Sequence, residues 1–78
     1  MDTFEEIQKI ISANLGVPPA SVRPDSKASD FAAWDSVNHL VLIMEIEREL
    51  GLKFTMDEIA ELGSVDKIIS AIDKKVAK

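Results

Sequence analysis

The 78-residue sequence contains no cysteine. No disulfide therefore staples the fold, no thiolate zinc site is available, and the chain has no thiol nucleophile of its own. That fits a reducing compartment. A single histidine removes the usual zinc sets as well. No apolar run approaches the roughly 18 residues needed to cross a bilayer, so no membrane partner is expected. The first residues, Met1 to Glu6, are acidic and lack the basic start of a signal peptide; the expected location is the cytoplasm. Gly-rich phosphate loops, calcium-loop patterns, internal repeats and strand-like alternation are all missing.

Positive charge is also scarce. Nine Lys and Arg stand against fourteen Asp and Glu, a net charge of −5. A surface of that sign repels phosphate backbones, which argues against nucleic acid and favours partners with a basic docking patch. The same charge also serves simply to keep a small protein soluble. A hydrophobic fraction of 46% is enough for one packed core and excludes disorder, so residues 1–78 read as a single domain near the lower size limit for folding alone.

Four helical segments are legible. Thr3 followed by Glu6 is a capping-box pattern, and Phe4, Ile7, Ile10, Ile11 and Leu15 then recur at helical spacing up to a stop at Gly16. Residues 16 to about 34 hold all three prolines and form a long connection. Val17, Val22, Phe31 and Trp34 punctuate it and are expected to pin it to the bundle. A second helix starts at Asp35 and runs to about Leu50; Asp35 is its N-cap, whose carboxylate can accept from the N–H of Val37 or Asn38, which makes Ser36 the first helical residue. Gly51 ends it. A short third helix follows the Thr55/Glu58 capping box and runs to about Leu62, with Gly63 as its stop. Ser64 caps a fourth, in which Val65, Ile68, Ile69, Ile72 and Val76 make an apolar stripe and Lys74, Lys75 and Lys78 crowd the negative end of the dipole. The fold class is all-α: a small bundle of three main helices and one short one, with a long loop between the first two.

The second helix carries more apolar surface than one core face needs. Leu42, Ile43, Ile46 and Leu50 make one arc; Val37, Val41 and Met44 make another; Asn38, Glu45 and Glu49 form a narrow polar arc. Periodicity leaves two readings of the second arc open: burial on two sides, or an exposed stripe that docks partners. Ser36, Asp35 and His39 suggest a catalytic triad on paper. Asp35 is adjacent to Ser36, however, and cannot easily orient His39 as the base. The Ser36 hydroxyl sits beside the free N–H groups that open a helix, where a phosphate ester would be favoured; by position alone it is an ordinary first-turn serine.

The run Trp34-Asp35-Ser36-Val37-Asn38-His39-Leu40 resembles the Asp-Ser-Leu signature of acyl and peptidyl carrier proteins. Ile10-Ile11 to Leu15-Gly16-Val17, Met44-Glu45-Ile46-Glu47 and Ser64-Val65 are similar to the same family, so the likeness covers essentially the whole chain. It implies a non-catalytic monomeric carrier with a 4′-phosphopantetheine arm on Ser36, installed from coenzyme A by a phosphopantetheinyl transferase. The arm's thiol would hold acyl or aminoacyl groups as thioesters for a loading enzyme and downstream enzymes of fatty-acid, polyketide or related biosynthesis. Asp35 matches the family's acidic residue that assists installation by helping to hold the transferase reaction's magnesium ion. Val37, Val41 and Met44, with Asn38 and Glu45, would meet partners.

The sequence also departs from the family pattern. Asn38 and Val41 stand where fatty-acid carriers usually have acidic residues, and Arg48 interrupts the later acidic run. Trp34 replaces a small residue, and Phe31-Ala32-Ala33 replaces the usual Leu-Gly. These features point to a specialised pathway. His39 reads as a half-exposed histidine or as a border of the route to the core, and Phe54 and Ile59 are expected to pack under the third helix. The competing reading is a helical interaction module without the arm.

Overall fold

The computed structural model describes residues 3–76, the side chain of Val76 excepted. Four helices follow one another: α1 (Thr3–Leu15), α2 (Ser36–Leu50), α3 (Met56–Glu61) and α4 (Val65–Val76). Thr3 is already helical, so whatever caps α1 lies outside the described residues, as do Lys78 and the Val76 side chain at the other end. The helical bundle expected from periodicity is the fold observed, with no strand among the described residues.

One side of each long helix builds the core. Ile7 and Ile11 of α1, Leu42, Ile43 and Ile46 of α2, and Val65 and Ile68 of α4 are wholly buried. α1 packs on both α2 and α4. Helix ends follow local chemistry. Gly16 and Gly51 adopt φ of 68° and 66°, a left-handed conformation that costs other residues a Cβ clash. In the α3 capping box, Glu58 accepts from the Thr55 N–H at 2.8 Å and its own N–H reaches the Thr55 hydroxyl at 3.2 Å. The Thr55 backbone bond and then the Lys75 ammonium hold the Glu58 carboxyl below its ordinary value. Lys75, 3.1 Å from Glu58, ties α4 to α3 and lies 5.1 Å over the ring of buried Phe54.

Two details depart from the sequence-based expectation. α3 ends at Glu61, and Gly63 has no left-handed φ. The Gly63 carbonyl instead accepts from Ala28 N–H at 2.9 Å, while Val65 N–H donates to the Ser26 carbonyl at 2.9 Å. Ser64 does sit at the cap position of α4, its carbonyl taking the Ile68 N–H. Its hydroxyl, however, donates to the Asp66 carboxylate at 2.5 Å rather than accepting from the helix backbone. That bond is the main reason the Asp66 carboxyl lies below its ordinary value.

The long connection is therefore far from structureless. Two single 3-10 turns, Pro19–Ser21 and Ala28–Asp30, fold it, and the Lys27–Ser64 bridge fastens its middle to the α3–α4 junction. Gln8 of α1 donates to the carbonyls of Pro19 and Val22. Val22 and Trp34 are buried, and Val17 and Phe31 pack partly against the core, as their apolar character suggested. This tethering fixes where the chain enters α2.

Candidate functional site

The chain enters α2 through Asp35, which is extended at φ −93° and ψ −176°. Its carboxylate accepts from Asn38 N–H at 2.8 Å, and its carbonyl takes His39 N–H at 2.8 Å. This is the cap that the sequence suggested, with Asn38 rather than Val37 as donor. Asn38 reinforces the entry from the other side: its Nδ2 donates to the Ala33 carbonyl at 2.6 Å. Two short bonds thus brace the turn that presents Ser36. Ser36 is the first residue of α2 and is exposed. The amides of a helix's first turn lack intrahelical acceptors, so its hydroxyl stands at the positive end of the dipole.

A groove of about 430 Å³ opens beside it. Ser36, His39 and Leu40 of α2 line one wall; Met56, Ile59 and Ala60 of α3 line the other; Trp34 contributes from the loop. Leu40 and Met56 stand at 47% and 76% exposure, so apolar surface flanks the serine without being covered.

His39 is held more tightly than a freely adjusting histidine would be. The indole N–H of Trp34 reaches its Nδ1 at 2.9 Å. An indole nitrogen only donates, so Nδ1 carries no proton. Nε2 then bears the hydrogen and donates to the Ile59 carbonyl at 2.8 Å. Both ring nitrogens are committed, one to the loop and one to α3. The paper triad of Ser36, His39 and Asp35 is thereby broken: the imidazole has no lone pair for Ser36, and the Asp35 carboxylate is turned to the helix backbone. His39 is half-buried, as the plainer of its two sequence readings had it, and borders the surface groove.

Along α2 the second apolar arc resolves as exposed. Val37, Val41 and Met44 stand at 69%, 47% and 65% exposure, while the first arc is buried, with Leu50 partly so. Asn38 is partly buried and engaged with Ala33, so it presents little to a partner. Glu45 is held by Arg48, whose Nη2 donates to both carboxylate oxygens at 2.6 and 2.8 Å. The partner-facing set suggested by sequence is thus an apolar stripe with its acidic member neutralised. Leu40, which belongs to neither apolar arc, and Met56, at the start of a short helix, gave no periodic signal of their exposure.

The residues present fit a serine-borne group: an exposed hydroxyl on a doubly braced turn, at a helix N-terminus, beside an uncovered apolar groove. Comparison with known proteins agrees. The family described as "Phosphopantetheine attachment site" matches residues 5–72. An acyl carrier protein of Solidesulfovibrio magneticus is 36% identical over 75 residues, covering 96% of each chain. One of Zymomonas mobilis is 34% identical over 76 residues, covering 97% of each. The solution structure of a holo acyl carrier protein from Geobacter metallireducens superposes with a TM-score of 0.85 at 28% identity, over 99% of this chain and 88% of that one. A family match across most of the chain, near-full-length relatives and the same helical fold together show that the protein belongs to the phosphopantetheine-attachment family of acyl carrier proteins, which bear acyl groups on a 4′-phosphopantetheine arm and are not themselves catalysts.

Proposed function

We propose that Ser36 is the serine that receives the 4′-phosphopantetheine arm, and that the loaded carrier works in the cytoplasm as a monomer. The observation carrying this reading is the position of the Ser36 hydroxyl: exposed, at the first turn of α2, on a turn braced by the Asp35–Asn38 and Asn38–Ala33 bonds. When attached, the arm supplies the thiol that this cysteine-free chain lacks. The chain's own residues present and orient. The first-turn amides and helix dipole favour the phosphate ester. Asp35 has one carboxylate oxygen engaged by Asn38; the other is left to face the magnesium ion that a phosphopantetheinyl transferase brings.

The partners in this reading are that transferase, an acyl- or aminoacyl-loading enzyme, and downstream enzymes of a specialised pathway. They meet the carrier over Val37, Val41 and Met44, whose exposure supports a docking stripe. With Glu45 paired to Arg48 and Asn38 turned inward, docking relies on apolar burial more than on charge. Such a surface suits polyketide, peptide or dedicated modification enzymes better than a strongly basic fatty-acid synthase patch.

The test is direct. The purified chain is incubated with coenzyme A, magnesium and a broad-specificity phosphopantetheinyl transferase, then weighed intact. One phosphopantetheine is gained by the wild type and none by Ser36→Ala. Absence of any gain with several transferases would instead favour an interaction module that uses the same apolar stripe without an arm.

A further inference from the structure

We propose that Trp34, His39 and the Ile59 carbonyl form a bolt across the seam between α2 and α3, which holds a group tethered at Ser36 in the surface groove and out of the core. The inference rests on the carrier reading of Ser36. It makes Trp34 and His39 specificity-determining residues, and the cargo class it selects is a short acyl group lying against Leu40, Met56 and Ile59.

Three segments meet in the bolt. Trp34 comes from the end of the long connection and is 5% exposed. It donates to His39 at 2.9 Å, and His39 donates onward to Ile59 of α3 at 2.8 Å. The rings of Trp34 and His39 also stack, with centroids 6.1 Å apart. Ile59 lies in the last turn of the six-residue α3, where carbonyls have no i+4 donor within the helix. The Ile59 carbonyl takes the Leu62 N–H at 3.2 Å, and His39 supplies its second donor. The end of α3 is thus fastened to α2 through one imidazole. One and two turns further along the same face of α2, Ile43 and Ile46 are fully buried.

A chain passing between the helices must part these bonds. The imidazole N–H then loses the Ile59 carbonyl, and the indole N–H of Trp34, a buried residue, loses its acceptor where little water reaches it. Leaving one such group unpartnered costs more than burying one methylene returns. A chain of a few carbons therefore does not open the seam, whereas settling in the groove breaks nothing. Tethering adds to this preference, because Ser36 itself lines the groove and presents the group at high effective concentration. Leu40 and Met56, both well exposed, gain cover when an apolar group lies between them.

The experiment uses the full chain loaded through a transferase with pantetheine bearing amide-linked acyl groups of four, six, eight or ten carbons. Intact mass verifies loading, and nuclear Overhauser contacts locate each acyl chain. In the wild type the four-carbon group contacts Leu40, Met56 and the single tryptophan, with no contact to Ile43, Ile46 or Leu62. Its indole N–H exchanges at least tenfold more slowly than a free one. In Trp34→Phe, which keeps an aromatic ring but removes the donor, core contacts begin at a chain at least two carbons shorter than in the wild type; His39→Leu serves as the second variant if Trp34→Phe folds poorly. Core contacts from the four-carbon group in the wild type, or the same onset length in wild type and variant, overturn the bolt alone. Failure of the arm to load at all overturns the carrier reading and the bolt together.

Discussion

Trp34 and His39 lie five residues apart, and the indole N–H of one reaches Nδ1 of the other at 2.9 Å. That bond sets the histidine's tautomer, and the tautomer in turn directs Nε2–H at Ile59. Phe31 stands 6.3 Å from the Trp34 ring on the loop side. A short aromatic chain therefore runs from the long connection, past the first turn of α2, to α3. It explains why a large residue is accommodated immediately before Asp35: Trp34 fills core space and at the same time supplies a donor to the helix it precedes.

Replacing Trp34 with Phe keeps most of the packing and deletes the hydrogen bond. The expected loss is about 1 kcal/mol, since the Nδ1 acceptor is left partly buried without a partner. For a domain of this size that lowers the melting temperature by roughly 4–8 °C. Thermal unfolding followed by circular dichroism measures it; an unchanged melting temperature would mean that the bond carries no net stability.

The cap that Asp35 forms and the part in arm installation proposed for it can be separated by substitution. Asn is as good an N-cap as Asp, so Asp35→Asn should hold stability within a few tenths of a kcal/mol while slowing arm installation. Asp35→Ala should lose about 1 kcal/mol of stability as well. Transfer rates and denaturant midpoints, measured on both variants, separate the charge from the cap.

Met44 is 65% exposed, so Met44→Glu should leave the melting temperature within a degree or two of wild type. The same change places a charge in the Val37–Val41–Met44 stripe and should weaken binding to a cognate enzyme tenfold or more. A large drop in thermal stability would show instead that Met44 is part of the core.

Removing the ion pair at the next turn should have the opposite pattern. Arg48→Ala frees Glu45 and costs little stability, because exposed pairs are worth less than about 1 kcal/mol. It makes the proposed docking face more acidic. Binding to a partner with a basic patch should strengthen and become more sensitive to salt, as surface plasmon resonance at two ionic strengths would reveal.

The acid limb of stability carries the mark of Asp66. Its carboxyl lies below the ordinary value of 3.8, chiefly through the Ser64 hydroxyl. A carboxyl depressed in the folded state contributes stability that is fully present above its unfolded pKa and is lost as pH falls through the folded one. Ser64→Ala should move the Asp66 titration upward toward 3.8, seen by carboxyl carbon chemical shifts. The variant's stability should then depend less on pH below 4.

Much of this protein is written locally. The Asp35 cap, the Thr55/Glu58 box and the stops at Gly16 and Gly51 each depend on residues within a few positions of one another, so sequence spacing was sufficient to read them. The apolar arc of Leu42, Ile43 and Ile46 was legible for a similar reason, because 3.6-residue periodicity marks the face that must leave water. Ser36 was placed at the helix start by its cap, and the motif around it is what proposes it for the arm. Local pattern also failed in characteristic ways. The Ser64 hydroxyl chose a carboxylate two residues on over the helix backbone, and Gly63 was used as a partner for Ala28 and not as a helix terminator. The Gly63 pairing depends on which segment packs alongside; the Ser64 bond is a local competition that spacing alone did not rank.

Caps, periodicity and motif are all short-range, so they were enough to specify a helical carrier with Ser36 at the head of the second helix. Tertiary structure decided the environment of that serine. Whether Val37, Val41 and Met44 face solvent depended on no other helix among the described residues covering them. Whether His39 was free or fastened depended on Ile59, twenty residues away. No spacing rule reaches that far, because a hydrogen bond between distant segments exists only once the core has brought their backbones together.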